Sequence, residues 1–157
     1  VGDTLWMPVQ REWGDDPKGS VKLVSYNIET EEWGAVRYPL EAAGSGWVGL
    51  SDIALHGEKL YIVERDNLHG GDAAIKRVYS VPLAEMVPAA LGSDLPTVTK
   101  TLVRDLLPDL TSTGGYVLDK VEGLAITADG TAWISTDNDG VDDHSGETMF
   151  FSIGKLP

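Results

Sequence analysis

Two stretches of the sequence share one pattern, and that pattern decides the fold class. Residues 52–67 read DIALHGEKLYIVERDN, and residues 123–139 read GLAITADGTAWISTDND. With one gap they align as an apolar segment, a short turn, a second apolar segment and an acidic end. The turns His56-Gly57-Glu58 and Ala128-Asp129-Gly130 are typical of tight β-hairpins. We expect two equivalent hairpins, each with alternate apolar side chains buried on one face: Ile53, Leu55, Leu124 and Ile126.

The other apolar segments are also short, and they are rich in β-branched and aromatic residues. Helix is scarce, because the two segments that could form a helical turn, residues 83–91 and 104–110, are each interrupted by proline. The pattern therefore predicts an all-β, mainly antiparallel chain. Its further strands are expected at residues 4–10, 21–28, 34–40, 59–64, 75–81, 98–103 and 148–153.

A repeated strand–turn–strand unit with acidic exits is typical of β-propeller blades. The two hairpins begin 71 residues apart, and the expected strands amount to two to three antiparallel blades. Closed propellers have about 4–8 blades, and a partial one leaves unpaired sheet edges and an exposed apolar flank. We therefore expect residues 1–157 to be part of a larger propeller, with the remaining blades or a second chain as partner. A compact β-sandwich is the alternative.

Charge and composition exclude several classes of protein. The chain has 157 residues, 25 acidic against 12 basic side chains, and a net charge of -13. Such a charge repels phosphate backbones, so we expect no nucleic-acid partner. No apolar run approaches the roughly 20 residues of a membrane span. The absence of cysteine excludes thiolate metal sites and cysteine nucleophiles.

The densest group of possible metal ligands is the acidic stretch DNDGVDDHSGE at residues 137–147. Calcium takes several hard oxygen ligands from a loop that can bend, and the glycines here allow bending. The carboxylates would repel one another without a counter-ion. A solvated acidic turn is the alternative, because Asp, Asn and Gly also form turns. The predicted calcium ligands in this stretch are Asp137, Asp139, Asp142 and Asp143.

Several stretches resemble the phytase-like family, described as "esterase-like activity of phytase", whose members are secreted bacterial β-propellers. The most specific is VEGLAI at residues 121–126, followed by Asp129-Gly130 and by STDND at residues 135–139. The others are LWMPVQR at residues 5–11, VSY at 24–26, YPLE at 38–41, GLSDIAL at 49–55 and LYIVERD at 60–66.

This resemblance implies a fold, a location and one site residue. It spans nearly the whole chain and is closest to the C-terminal part of the family's domain, so the N-terminal blades of the family are not in this sequence. It implies a secreted or periplasmic protein. The first residues do not resemble a signal peptide, so any targeting segment is expected to lie outside this sequence. The resemblance also places Glu122 near the central opening of the propeller, which makes it a candidate fifth calcium ligand or a substrate-facing group. The alternative is an ordinary carboxylate at the start of a strand, paired with Lys120 or with a backbone donor.

The triplet Glu64-Arg65-Asp66, at the exit of the first hairpin, allows two readings. An arginine can bind phosphate or carboxylate through two parallel hydrogen bonds, which makes Arg65 and Glu64 candidates for binding a small anionic ligand. Alternatively, the triplet is an internal ion-pair cluster that holds one blade to the next.

Two functions remain open at this level. The first is a phytase-like or esterase-like propeller acting as a calcium-assisted hydrolase of phosphoric or carboxylic esters, in which the metal would activate water. The second is a non-catalytic propeller module that binds a ligand or a partner. No serine stands in a G-x-S-x-G elbow, which favours the second. The sequence does not assign a catalytic residue.

Overall fold

A computed structural model describes residues 1–117, 120–137 and 148–157. This part of the chain is mostly β-strand, and its helical segments are short: 3₁₀ turns at Gly70–Asp72 and Leu83–Glu85, and α1 at Leu107–Thr111. The strands are β1 (Thr4–Pro8), β2 (Ser20–Asn27), β3 (Trp33–Pro39), β4 (Val48–His56), β5 (Lys59–Asp66), β6 (Lys76–Pro82), β7 (Ala89–Ala90), β8 (Thr101–Asp105), β9 (Lys120–Ile126), β10 (Thr131–Asp137) and β11 (Phe150–Lys155).

The strands form three antiparallel sheets that follow one another along the chain. The first sheet has the order β1-β2-β3-β7, the middle sheet β4-β5-β6-β8, and the third sheet β9-β10-β11. Neighbouring strands in each sheet are mostly neighbours in sequence, as short hairpin connections favour. The predicted all-β class is confirmed, and three successive sheets are consistent with two to three propeller blades. A two-sheet sandwich does not describe this arrangement.

The middle sheet is covered on both faces, and β5 shows this most clearly. Leu60 and Ile62 pack into a core shared with the first sheet, whereas Tyr61 and Val63 pack into a second core shared with the third sheet. All four side chains are almost completely buried. A strand buried on both faces needs a continuous apolar run rather than an alternating one, and residues 60–63 provide it.

The two predicted hairpins are equivalent in register as well as in sequence. In the first, Leu50 pairs with Glu64 and Ile53 with Ile62; in the second, Val121 pairs with Thr136 and Leu124 with Ile134. Both inner strands therefore carry one extra residue at the same place. Such β-bulges turn side chains aside and recur where a strand faces a site. The bulged residues are Ser51-Asp52 in β4 and Glu122-Gly123 in β9.

Three of the four side chains expected to be buried are at least partly buried, and one is not. Leu124 is buried, and Ile53 and Ile126 pack against the two cores. Leu55 was predicted to be buried but is 47% exposed. The reason lies in the neighbouring sheet: β9 lies beside β4, which helps to cover Ile126, whereas Leu55 faces an open groove beside β1.

Candidate functional site

The most polar buried region of the described chain lies where β5 ends and where β4 and β9 begin. The antiparallel register places the start of β4 opposite the end of β5, because Val48 pairs with Asp66. An ion pair between Arg65 and Glu122 then connects this end of the middle sheet to the start of β9. We call this region the strand-end site. It contains the bulges of both inner strands.

Arg65 lies at the centre of the strand-end site. Its side chain is 2% exposed; Nη2 donates to Glu122 Oε1 at 3.0 Å, and Nε donates to Ser51 Oγ at 3.1 Å. Its third nitrogen, Nη1, is buried and has no hydrogen-bond partner among the described residues. Buried polar groups are nearly always hydrogen-bonded, so an unpartnered guanidinium nitrogen marks a place where an acceptor would be stabilised.

An aromatic ring lies against this guanidinium. The Arg65 guanidinium carbon lies 5.1 Å from the centre of the Trp47 ring, and that of Arg11 lies 4.6 Å from it. Each contact is within the range of a cation–π interaction. The strand-end site thus brings two arginines to one tryptophan, one from β5 and one from the segment after β1.

Glu64 points away from Arg65, towards the first sheet. It is fully buried, and its carboxylate accepts hydrogen bonds from Tyr38 Oη at 2.9 Å, Lys100 Nζ at 2.6 Å and the Glu41 amide at 2.6 Å. Burial raises the pKa of Tyr38, and the negative charge of the nearby Glu64 carboxylate raises it further. Glu64 therefore holds the first and middle sheets together, and its three donors satisfy most of its acceptor capacity.

Asp66 completes the triplet with a buried ion pair. Its Oδ1 accepts from Lys76 Nζ at 2.7 Å, and its Oδ2 accepts from the Ala74 and Ile75 amides. Burial alone raises the pKa of Asp66, but the hydrogen bonds from Lys76 and the backbone outweigh it, so the pKa lies below its ordinary value. This cluster fastens the segment that follows β5 against the start of β6.

An open cleft of about 500 Å³ lies beside the strand-end site. Arg11, Lys18 and Trp47 line it together with the carboxylates of Glu12 and Glu41. The Tyr79 hydroxyl donates a hydrogen bond to the Glu41 carboxylate and is the main cause that holds the pKa of Glu41 below its ordinary value. A hydrogen bond from Lys100 contributes less to the same lowering. The cleft therefore presents charges of both signs and one aromatic face to solvent, which suits a small polar ligand.

Two members of the predicted metal set, Glu122 and Asp137, lie within the described residues. Glu122 lies in the bulge of β9 and pairs with Arg65, and Asp137 ends β10 opposite Lys120. Asp139, Asp142 and Asp143 lie outside the described residues. Within residues 1–117, 120–137 and 148–157, no group of three or more potential metal-ligating side chains comes together.

Three polar residues of this region were not predicted from the sequence as site residues: Tyr38, Ser51 and Lys100. Tyr38 and Lys100 lie far from Glu64 in sequence, so no local spacing indicates their contact. Ser51 could have been identified, because the alignment of the two hairpins places it level with Glu122. The bulges at these positions became evident only from the strand register.

One family model matches most of the chain. A family model described as phytase-like, "esterase-like activity of phytase", matches residues 1–140. The chain belongs to this family. No curated protein and no solved structure matches the chain.

Membership of the phytase-like family accounts for the architecture. The family has a β-propeller fold, and the three successive sheets of this chain are consistent with part of one. Phytase-like proteins are generally extracellular. In the described ranges, no helix has the length and apolar character needed to cross a membrane. The Glu122 bulge belongs to VEGLAI, the most specific of the family-like stretches.

Proposed function

We propose that this chain supplies the anion-binding wall of a phytase-like hydrolase, which acts on phosphoric or carboxylic esters. The observation that carries the proposal is the unpartnered Nη1 of Arg65, a buried nitrogen beside the bulge of β9. A negatively charged oxygen of the ester would accept a hydrogen bond from this nitrogen, which would then no longer be a buried donor without a partner. Arg65 and Glu64 are the residues proposed to bind or support that ligand.

The two neighbours of Arg65 would set its orientation for such a ligand. Glu122 and Ser51 accept from Nη2 and Nε, so they hold the guanidinium plane in one direction. A guanidinium fixed in this way loses little conformational entropy when an anion binds. Glu64 would act indirectly, because its carboxylate positions Tyr38 and Lys100 on the opposite side of β5.

Calcium is proposed as the cofactor, held by Glu122, Asp137, Asp139, Asp142 and Asp143. Glu122 is 37% exposed and Asp137 is partly exposed, so carboxylate oxygens are accessible at the ends of β9 and β10. Calcium takes six to eight oxygen ligands, which requires most of this set together with water. When bound there, it would polarise the ester and lower the pKa of a bound water.

Turnover in the presence and absence of a chelator tests the hydrolase proposal. We expect the chain to hydrolyse p-nitrophenyl phosphate or p-nitrophenyl acetate with calcium, and to lose that activity in chelator. Arg65→Lys should reduce kcat/KM at least about tenfold, since lysine lacks the paired donors of arginine. Arg104→Lys, a change in an arginine 45% exposed at the surface, is the matched control and should retain activity.

A non-catalytic binding module is the second candidate. It is favoured by the hydrogen bonding of the described residues, among which no serine hydroxyl is paired with a histidine. A triad-like hydrolase needs such a nucleophile and base within hydrogen-bond distance. In this case the same Arg65 site and the open cleft would bind a small anionic ligand without cleaving it.

Ligand-induced stabilisation separates the two candidates. A non-hydrolysable phosphonate should raise the Tm in either case, and Arg65→Lys should weaken that rise. Turnover supports the hydrolase, and a rise in Tm without turnover supports the binding module. If the phosphonate leaves the Tm of the wild type unchanged, the anion site itself is wrong.

Calcium binding and location need separate tests. Calorimetric titration of chelator-treated protein should show calcium binding that Asp137→Asn weakens. Asp94→Asn, a change in an exposed carboxylate elsewhere, should leave this binding unchanged.

We also propose that the protein is secreted or periplasmic, and that the remaining blades or a second chain complete its propeller. Cell fractionation of the native host protein and sedimentation of the chain check these two points.

A further inference from the structure

The open cleft of about 500 Å³ beside the strand-end site contains two basic side chains, Arg11 and Lys18, that pair with no carboxylate. Neither has a side-chain hydrogen bond or an ion pair in the part of the chain that the structure describes. Other basic side chains of this chain, whose net charge is -13, do contact carboxylates: Lys22, Lys76 and Lys100 are examples. Two cations without acidic partners in one cleft indicate a place where an anion is stabilised.

Arg11 differs from Arg65 in the donors that it leaves available. Nε and Nη2 of Arg65 donate to Ser51 and Glu122, so Nη1 alone is left for a ligand. The guanidinium of Arg11 has no hydrogen-bond partner among the described residues, and its carbon lies 4.6 Å from the centre of the Trp47 ring. Its whole planar fork is therefore available, and this fork matches the two oxygens of a carboxylate.

The connection between β1 and β2 holds both cations of the cleft in place. The Gly19 amide donates to Glu12 Oε1 at 2.5 Å, which closes the connection on itself next to Lys18. The buried Lys22 of β2 pairs with Asp16, which fastens the middle of the connection to the first sheet. Because this segment is already ordered, an anion that binds to it orders little additional chain.

The two carboxylates of the cleft already accept hydrogen bonds from the protein. Glu12 accepts from a backbone amide of its own connection. Glu41 accepts from Tyr79 Oη at 2.9 Å, and its carboxylate lies 3.2 Å from Lys100 Nζ and 3.8 Å from Arg77 Nη1. These two cations offset the charge of Glu41, so the basic side chains outnumber the acidic ones at the cleft. A single anionic group fits this balance, because a second one would face Glu12.

Much of the remaining lining of the cleft is apolar. The segment from β3 to β4 that provides it is held at both ends: the Glu41 amide donates to Glu64 at 2.6 Å, and the Trp47 amide donates to Asn67 Oδ1 at 2.7 Å. A cleft of this volume is large enough for a small organic ligand. The apolar lining residues are Leu40, Ala42, Ala43, Trp47 and Val48.

We propose that this cleft binds an organic acid with a single carboxylate on an apolar body. The carboxylate would accept two hydrogen bonds from Arg11 and form an ion pair with Lys18. The apolar body would pack against Leu40, Ala43 and Val48. This inference rests on the binding-module candidate, because both take the cleft as a ligand site, but it names the class of ligand and a carboxylate subsite separate from Arg65.

Calorimetric titration with a series of straight-chain acids tests the proposal. We expect octanoate to bind saturably. Hexanoate and butyrate should bind more weakly, by roughly a factor of four for each buried methylene that is removed. Octanamide has the same apolar body without the negative charge, and it should bind at least tenfold more weakly than octanoate.

Three protein variants locate the carboxylate. Arg11→Gln removes the planar fork and should weaken octanoate binding at least tenfold, whereas Lys18→Gln should weaken it about threefold. Lys155→Gln removes one positive charge from a side chain of β11 that is 68% exposed, and it should bind octanoate like the wild type. Circular dichroism verifies that the three variants are folded.

Several results would overturn the proposal. One is the absence of saturable octanoate binding, and another is equal binding of octanoate and octanamide. Octanoate binding that Arg65→Lys weakens and Arg11→Gln leaves unchanged would move the carboxylate to Arg65. The phosphonate test of the Arg65 site is separate: if the phosphonate has no effect while octanoate still binds through Arg11, the anion site at Arg65 is wrong and this inference stands. If the phosphonate binds and octanoate does not, this inference alone is wrong.

Discussion

The middle sheet and the two end sheets are built from matching strands, yet they differ in what covers them. Leu60 of β5 and Leu5 of β1 occupy equivalent positions. Leu60 precedes Tyr61, which pairs with Ser80 of the next strand, and Leu5 precedes Trp6, which pairs with Ser25 of the next strand. Leu60 is 3% exposed, whereas Leu5 is 55% exposed. The comparison shows that burial here is decided by the neighbouring sheet. A repeat in the sequence predicts which residues are equivalent, but not which of them have a partner.

The largest effect should come from the buried ion pair of the middle sheet. Lys76→Met removes the cation from Asp66 and leaves a fully buried carboxylate, which costs about 3–5 kcal/mol of unfolding free energy. Lys155→Met, at the exposed edge of the third sheet, is the matched control; its pair with Asp129 is exposed to solvent, so this change should leave the unfolding free energy nearly unchanged. Urea unfolding measures both. Equal losses of unfolding free energy in the two variants would show that the Lys76–Asp66 pair is no more shielded from solvent than the surface of the third sheet.

The same pair predicts a difference in acid stability. Although burial raises the pKa of Asp66, hydrogen bonds from Lys76 and the backbone lower it overall. Its stabilising contribution is therefore fully present above the unfolded pKa of about 3.9, and it is lost as the pH falls through the lower folded pKa. Because Lys76→Met removes one cause of the lowering, its unfolding free energy should fall less steeply between about pH 5 and pH 3. Parallel pH curves would contradict this.

Equivalent leucines sharpen the comparison of the sheets. Leu60→Ala leaves a cavity in the core between the first and middle sheets and should cost about 2–5 kcal/mol. Leu5→Ala makes the same chemical change on the uncovered face and should alter the unfolding free energy by no more than about 0.5 kcal/mol. Urea unfolding at equal protein concentration checks both values. A large loss for Leu5→Ala would mean that this face is covered in solution.

Glycines in the two inner strands test how closely the sheets approach. A Cβ at Gly49 of β4 would lie 2.3 Å from the backbone oxygen of Gln10, so Gly49→Ala should separate β1 from β4 and cost about 1–3 kcal/mol. A Cβ at Gly123 of β9 would instead meet the Ser135 hydroxyl, which can rotate away. Gly123→Ala is the comparison and should cost less than about 1 kcal/mol. Thermal unfolding of the two variants ranks them, and a reversed order would contradict the contact at Gln10.

The fold could be read from the sequence because its signals are local. The two hairpins and their turns follow from residues 52–67 and 123–139, and the all-β class follows from apolar spacing. The exposure of Leu55 could not be predicted, because it depends on how the first sheet lies against β4. There Leu55 borders an open groove beside β1. Alternation along a strand indicates which side chains share a face, and burial of that face requires a neighbour.

The strand-end site was only partly predictable for a related reason. Glu64, Arg65 and Glu122 stand out as charges at the ends of apolar segments, and they are near one another in space. Their contacts with Tyr38, Lys100 and Trp47 join residues that are 18–36 positions from their partners. Contacts of that range depend on how the sheets pack, which a single sequence does not encode in any local pattern.

The smallest effect should come from the outer face of the third sheet. Phe150 of β11 corresponds in register to Leu23 of β2 and Val78 of β6, which are both fully buried, but it is 69% exposed and stacks on Trp133 with ring centres 5.2 Å apart. A buried phenylalanine replaced by alanine costs about 3–5 kcal/mol. On an uncovered face, Phe150→Ala should change the unfolding free energy by only about 0.5 kcal/mol.

Leu23→Ala, at the equivalent and covered position, is the comparison for Phe150→Ala and should cost about 2–5 kcal/mol. Urea unfolding followed by far-ultraviolet circular dichroism measures both variants, at two protein concentrations. A loss above about 2 kcal/mol for Phe150→Ala would place a neighbour on the third sheet, because only cover from another surface makes an aromatic ring at this position as costly to remove as a core residue. If that loss grows with protein concentration, the neighbour is a second copy of the chain, since association adds stability by mass action.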